Sequence, residues 1–390
     1  MRDSVREFLQ LLGASIGEAR LSEGFSVADG GSLLSLASRQ GLAGAIAPVL
    51  AREGLLDGEA LAPFLDARLE AIRSTTLLSH ELSRITAALD GAGIDYIPLK
   101  GAHLRALWPS TWMRTSCDVD ILIREDALAR ACDAVTEALG YTVRSVGFRD
   151  ASLYAPGDSV HLELHFSIRD TAGRSAALGA AWDYAVRAGD GHEYRFLPHF
   201  EIFYLLFHLL GHMDSGGGGV RPVIDLALLR REGYDAAALA ALLADCGLTR
   251  FAEAVFSLGD AILSGGEIDG ACAALAEWLI HGELYGEIHR RALVKRAKGE
   301  SRLSRRVRRR YVLSRLFPRR RELAVTYPAL QKHAWLYPFG LLAWHFHLIF
   351  GGRLLVALRR RRAEREVRDL AIDSAAALFS ELGIDNKKTP

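Results

Sequence analysis

The sequence predicts an α+β protein, a small sheet-bearing unit embedded in helical N- and C-terminal regions. Three observations predict it. Apolar residues recur at three- and four-residue intervals through residues 64–89, the pattern switches to short β-rich runs between residues 94 and 168, and helical periodicity returns from residue 176 onward.

The first helical region runs to about residue 90. Leu33, Leu34, Leu36 and Ala37 lead into 41–50, and a longer helix runs from Phe64 through Leu89 until Gly91-Ala92-Gly93 ends it. Ile94–Leu99 then reads as a strand that closes at Lys100-Gly101, with a helix expected over 102–108. Asp118–Ile123 alternates polar and apolar residues before turning wholly apolar, as a strand with one end exposed at a site would. Residues 125–139 form an amphipathic helix closed by Gly140, and 141–146, 152–155 and 160–168 are further strands. Beyond Ala176 the helices resume with 201–211, a loop of four glycines expected to be flexible, then 221–231 and 236–246. The expected organisation is a helical cap at 1–90, a sheet-bearing domain at 91–200, a helical domain at 201–300 and a basic and apolar helical region at 301–390.

Composition narrows the class. Half the residues are apolar and 24% are charged, the profile of a folded chain rather than a disordered one. Four scattered cysteines without a CxxC pair point to thiols in a reducing compartment, not to a disulfide framework or a zinc site. The opening residues lack the apolar run of a signal peptide, so cytoplasm is the expected location. The net charge of +1 hides an asymmetry: between His289 and Arg321 stand fifteen Lys or Arg and one acid, Glu300. Such a segment calls for an anionic partner: phosphate, a lipid surface, nucleic acid or the protein's own acidic face. Few aromatics interleave its arginines, which argues against nucleic acid. The apolar stretch 339–358 has the length of a membrane span but His345, His347, Gly351, Gly352 and Arg353 lie inside it. A buried helix, an interfacial membrane helix and a true span remain open for it, and with the basic segment it makes peripheral membrane contact an option.

The chemistry concentrates in three places. Asp118 and Asp120 sit two apart on a strand, so both point to one side, roughly 7 Å apart along it. Two ionised carboxylates at that spacing repel unless a cation lies between them, and a hard oxygen-seeking ion such as Mg2+ suits the pair. Two ions about 4 Å apart could activate an attacking oxygen and stabilise a leaving one. Glu163 stands in Val160-His-Leu-Glu-Leu-His-Phe166, where His161, Glu163 and His165 share a face and the apolar residues fill the other. That row points into a cleft, onto a metal or into solvent; a His-Glu-His zinc site is conceivable, but the Asp pair offers a better second wall. Third is Lys100-Gly101, where a glycine lets backbone approach a phosphate, a helix start supplies N–H groups and lysine adds charge.

Taken together, Tyr96-Ile-Pro-Leu-Lys-Gly101, Arg114-Thr-Ser-Cys-Asp118-Val-Asp120, Gly140-Tyr141, Glu163-Leu-His165, the helix with His208 and His212, and Val220-Arg-Pro-Val-Ile-Asp225 resemble a bacterial family of largely uncharacterised nucleotidyltransferases in the DNA-polymerase-β-like superfamily. The resemblance implies a mixed sheet with helices on one side and transfer of a nucleoside monophosphate from an NTP to an unidentified hydroxyl-bearing acceptor, releasing pyrophosphate. Asp118 and Asp120 would match its metal-binding pair, and Glu163 the third carboxylate, which helps hold the metal and can draw the acceptor's proton. Lys100 and Gly101 would match the loop facing the triphosphate. The implied cofactor is Mg2+, as two ions, with Mn2+ an alternative. The chain differs from the usual pattern in having Lys-Gly where the superfamily has Gly-Ser or Gly-Gly, and Glu where Asp is commoner.

Other residues keep two readings. Arg114 ion-pairs with the Asp cluster or a phosphate, or is a solvated loop residue. His165 orients Glu163 or a phosphate, or is a strand-surface histidine. Asp225 reads as a structural partner of Arg221 or Arg230, and His208 with His212 as packing residues. Two rivals to a nucleotidyltransferase stand beside it: an inactive scaffold of the same fold, and a nucleic-acid modifier using the basic segment.

Overall fold

The computed structural model describes residues 1–169, 174–281, 294, 298, 333–350 and 369–384. Four helices open the chain: α1 (Asp3–Ile16), α2 (Gly30–Arg39), α3 (Ala43–Arg52) and the long α4 (Gly58–Gly91). The sheet elements follow: β1 (Tyr96–Pro98), a single turn of helix α5 (Gly101–Leu104), β2 (Asp118–Ile123), α6 (Leu128–Leu139), β3 (Thr142–Val146), β4 (Asp150–Tyr154) and β5 (His161–His165). A short hairpin, β6 (Ala185–Arg187) and β7 (Tyr194–Phe196), leads into α7 (Pro198–Asp214), α8 (Arg221–Arg231), α9 (Ala236–Asp245), α10 (Thr249–Ser264) and α11 (Gly270–His281).

The five strands lie in the order β1-β2-β5-β4-β3. β2 runs parallel to β5 and every other neighbouring pair is antiparallel, so the sheet is mixed. Alternation along each strand separates two faces. On one, Val119, Ile121, Ile123, Ala151, Leu153, Leu162 and Leu164 pack with Leu78, Ile85 and Leu89 of α4 and with Ala131 and Val135 of α6. Each fully buried Leu or Ile there stabilises by about 2 kcal/mol. Asp118, Asp120, Ser152, His161, Glu163 and His165 occupy the opposite face. The helices that cover the apolar face are therefore what turns the charged one toward a site. Within that packing Tyr141 donates a 2.9 Å hydrogen bond to Glu81, which also accepts from Arg84.

Helices on either side of the sheet in sequence pack on one another. The Glu18 and Ala19 N–H groups after α1 both donate to the Leu263 carbonyl at the end of α10. Buried Gln40 donates to the Ile280 carbonyl at 2.9 Å and accepts from the Val220 N–H at 2.9 Å. The glycine run was expected to be a flexible loop, yet 217–219 are buried. A Cβ at Gly218 would lie 2.9 Å from Leu279 Cδ2 in a left-handed backbone at φ +139. Close packing, not mobility, is what demands glycine there.

The helix expected over 102–108 is α-helical only to Leu104 and tightens to a 3-10 turn over Arg105–Leu107. Arg105 caps this turn by donating to the Gly101 carbonyl at 2.5 Å. The described parts of Met1–Met213, 217–281 and Glu381–Ile384 form one compact unit. Asp214–Gly216 and the described parts of Glu287–Ser380 form a second. In the latter are α12 (Tyr337–Phe350) and most of α13 (Asp369–Glu381), and Lys298 ion-pairs with Asp214 while standing 5.4 Å over the Phe379 ring. The basic segment 289–321 lies outside the described residues apart from Val294 and Lys298, as does 351–358 of the apolar stretch. No helix among the described residues is long and apolar enough to cross a membrane.

Candidate active site

Strand register builds the site. Across the parallel β2–β5 pair, Asp118 stands opposite His161, Asp120 opposite Glu163 and Leu122 opposite His165. Neighbouring strands are about 4.8 Å apart, so Glu163, more than forty residues on from the aspartate pair, meets Asp118 and Asp120 on one face. Ser152 of β4 flanks Glu163 from the other side.

The side chains interlock. His165 Nε2 lies 2.7 Å from Asp120 Oδ1 and 3.3 Å from Glu163 Oε2. His161 Nε2 is 2.6 Å from the Ser152 hydroxyl and 3.9 Å from Glu163 Oε1, its ring stacked on Tyr154 at 4.5 Å. Two sets of potential ligand atoms result, each mutually within 4.8 Å: Asp118, His161 and Glu163, and Asp120, Glu163 and His165. Glu163 belongs to both. Carboxylate oxygens dominate each set, with one imidazole apiece, a donor chemistry that suits Mg2+ or Mn2+. The straight His-Glu-His zinc row does not form a set of its own; the aspartates of β2 divide it.

Charge in the cluster is arranged unequally. Burial alone would favour a neutral Asp120, but Lys100 and His165 outweigh it and hold that carboxyl well below the usual range. Asp118 moves the other way, raised by burial and by the negative charge of Asp120. The hydrogen bond from His165 lowers Glu163. Burial works against an imidazolium at His165, yet its bonds to Asp120 and Glu163 prevail and raise it to about 9. Two carboxylates are thus kept ionised beside a third that resists ionisation, the pattern expected where a cation is to be shared.

Lys100 sits in a left-handed backbone, φ +47, which costs roughly 1–3 kcal/mol for a non-glycine residue. Its ammonium reaches back to Asp120 Oδ1 at 3.3 Å, so it lies inside the acid cluster rather than on a loop rim. Burial lowers its proton affinity, but Tyr204, Asp120 and Asp118 more than restore it and leave it raised. Gly101 is required for space: a Cβ would stand 2.9 Å from Arg114 Nη1 and 3.0 Å from Ser116 Oγ.

The structure overturns two of the readings of Arg114, the solvated loop residue and the partner of the acid cluster. Arg114 is neither solvated nor paired with the cluster; its Nε and Nη2 each donate at 2.8 Å to the two oxygens of Asp225. Trp108 Nε1 donates to the same carboxylate at 2.8 Å. Asp225 is structural as expected, but its partners are Arg114 and Trp108 rather than Arg221 or Arg230. Arg114 thus packs behind the Lys100-Gly101 turn, its Nη1 close to Gly101.

Helix α7 brings further residues near the acids, which the sequence pattern marks only by their spacing. Tyr204 comes within electrostatic reach of Lys100 and Asp120, its hydroxyl pushed up to about 12 by burial. His208 and His212 face each other, Nε2 to Nε2 at 2.9 Å. Burial, then the charge of Lys100, keeps His208 well below its ordinary value and takes His212 to about 4. Both rings are neutral near pH 7, so one Nε2–H donates to the other. The helix is apolar almost throughout, which made these groups read as packing. Their i, i+4, i+8 spacing, one face of a helix, was the available signal.

Comparison with family models matches residues 26–264, more than half the chain, to a model described as an uncharacterised nucleotidyltransferase. No curated protein and no solved structure matches.

Proposed function

The chain belongs to the uncharacterised nucleotidyltransferase family, and from that premise we propose that it moves a nucleoside monophosphate from an NTP to a hydroxyl-bearing acceptor. The observation that carries this reading is the convergence of Asp118, Asp120 and Glu163 across the β2–β5 pair, with Lys100 and His165 balancing their charge.

In the reaction the acceptor oxygen forms a bond to the α-phosphorus, the bond from that phosphorus to the bridging oxygen breaks, and pyrophosphate leaves in line. Asp118, Asp120 and Glu163 would hold divalent cations, Mg2+ or Mn2+, which supply charge neutralisation for the triphosphate and acidify the attacking hydroxyl. Glu163 accepts the acceptor's proton, and His165 orients both Glu163 and Asp120 through its single Nε2. The Lys100-Gly101 turn presents backbone and charge on the triphosphate side. Arg114, anchored by Asp225, and Ser116 both pack against Gly101 of that turn. Most of the acceleration comes from positioning and fixed charge, as is usual for transfer at phosphorus.

Incubating the protein with each α-labelled NTP, Mg2+ and pools of hydroxyl-bearing acceptors tests this. Wild type should transfer label and release pyrophosphate, and Asp118→Asn/Asp120→Asn should do neither. Equal labelling by the two proteins would refute the assignment. So would the absence of any NTP-dependent shift in melting temperature for the wild type, which would favour a scaffold.

A further inference from the structure

Beyond the acid row a pocket opens that the nucleotidyl chemistry does not account for. Its cavity of about 640 Å³ begins at Leu122, which shares a face with Asp118 and Asp120 and stands opposite His165. Leu122 is one strand repeat, roughly 7 Å, past Asp120. The Lys100-Gly101 turn lies at the other end of the row, because the Leu99 N–H donates to the Asp120 carbonyl and Pro98 pairs with Ile121. The backbone of the turn thus stands toward the Asp118 end of the row, and the pocket opens at the Leu122 end.

Three guanidinium groups border the cavity, those of Arg149 and Arg169 on exposed residues. Arg124 stacks 4.3 Å over the Trp182 ring. Arg149 donates to the Arg169 carbonyl at 3.2 Å, and its own carbonyl accepts from the Phe166 and Ser167 N–H groups at the end of β5. Arg169 packs over Gly179, where a Cβ would lie 3.2 Å from its Nε. Among the described residues neither Arg149 nor Arg169 forms an ion pair with a carboxylate, whereas Arg124 has only a 3.9 Å contact with Asp95. Phe148, 91% exposed at the tip of the β3–β4 hairpin, adds an apolar ring to the same pocket. Glu125 and Asp126 also border it. The cavity is consequently not a uniformly cationic cradle for a triphosphate. It suits a small molecule carrying one anionic group beside a flat apolar part.

We propose that this pocket binds the acceptor, and that the acceptor carries a single carboxylate or phosphate, recognised by Arg149 and Arg169, beside a ring packed near Trp182 and Phe148. The assignment rests on the proposed transfer reaction. In-line displacement places the attacking oxygen and the leaving pyrophosphate on opposite sides of phosphorus, and the pocket is opposite the turn that faces the triphosphate. Cavities of this volume accommodate molecules of metabolite size, and a planar guanidinium matches a carboxylate or phosphate with two parallel hydrogen bonds.

Fluorine NMR on the full chain reads the pocket without turnover. The probes are 4-fluorophenyl phosphate, 4-fluorobenzoate and the neutral 4-fluorobenzyl alcohol. At least one anionic probe should show saturable broadening at millimolar concentration, and the two together tell phosphate from carboxylate preference. The neutral probe should bind at least tenfold more weakly, and Arg149→Ala/Arg169→Ala should weaken the anionic probe at least tenfold. Arg149→Gln takes the place of the double variant if its melting curve shows that it does not fold. ATP with Mg2+ should leave the probe bound. Failure of both anionic probes, equal binding of the neutral one, unchanged affinity in the arginine variant, or competitive displacement by ATP with Mg2+ would each overturn the assignment. ATP binding with Mg2+ measured separately in wild type and in Asp118→Asn/Asp120→Asn isolates the nucleotide reading: absence of binding by the wild type, or equal binding by the variant, would sink that reading, whatever the probes do.

Discussion

Replacing Asp225 with alanine tests whether Arg114 is structural. Asp225 accepts three hydrogen bonds at 2.8 Å, one from Trp108 and two from Arg114. The side chains of the ion pair are only 6% and 3% exposed, so solvent does not screen it. Removing one member of such a buried pair leaves an uncompensated charge and costs about 3–5 kcal/mol, with the orphaned Trp108 N–H adding to the upper end. At roughly 2–4 °C per kcal/mol for a unit of this size, the melting temperature should drop on the order of 10 °C. Arg114→Ala should cost a similar amount, and Arg114→Met/Asp225→Leu should recover much of it by replacing the pair with apolar volume. Thermal and urea melts of the four proteins, with ATP affinity measured on each, provide the assay. Loss of ATP binding by Arg114→Ala with an unchanged melt would refute the structural assignment and return Arg114 to a phosphate.

Three further outcomes follow from the site. His165 is raised above its unfolded value, so its contribution to stability is complete below about pH 6.5 and is lost as pH climbs through about 9. A cation entering the cluster competes with that proton, so Mn2+ affinity measured calorimetrically should strengthen across the same window; a flat profile would count against it. Glu201, pushed up to about 7 by burial, stabilises the fold at low pH and loses that contribution as pH rises through about 7, a slope that urea titrations should find flattened in Glu201→Gln. Gly101→Ala forces a methyl to 2.9 Å from Arg114 Nη1 and should cost about 1–3 kcal/mol in melts, more than the few tenths expected of an unconstrained site.

Much of this architecture is legible in the chain because two periodicities alternate within it. Asp-Val-Asp-Ile-Leu-Ile and His-Leu-Glu-Leu-His declare strands with one charged face, and their apolar positions, Leu122 apart, are those that meet α4 and α6. The helix at 221–231 and its neighbours follow from period and from turn residues alone. What local pattern cannot supply is register between distant segments. Nothing near Glu163 states that it will stand opposite Asp120 rather than one residue away, a slip that would turn it into the core. The Arg114–Asp225 pair spans 111 residues, and Lys100 found its partner twenty residues on. In each case the sequence offered a charged residue with several partners within imaginable reach. The tertiary fold chose the one whose pairing satisfied burial. Helix α7 misled for the opposite reason: a uniformly apolar segment hides the polar stripe that faces the acids.

Sharing of cations by the three acids is measured most directly by a Mn2+ titration in the presence of a non-hydrolysable ATP analogue, followed by electron paramagnetic resonance. Two ions per chain should bind to the wild type. Both sites should weaken at least tenfold in Glu163→Gln, the residue common to the two ligand sets. Mn2+ binding that is unchanged in stoichiometry and affinity when Glu163 loses its charge would contradict that sharing.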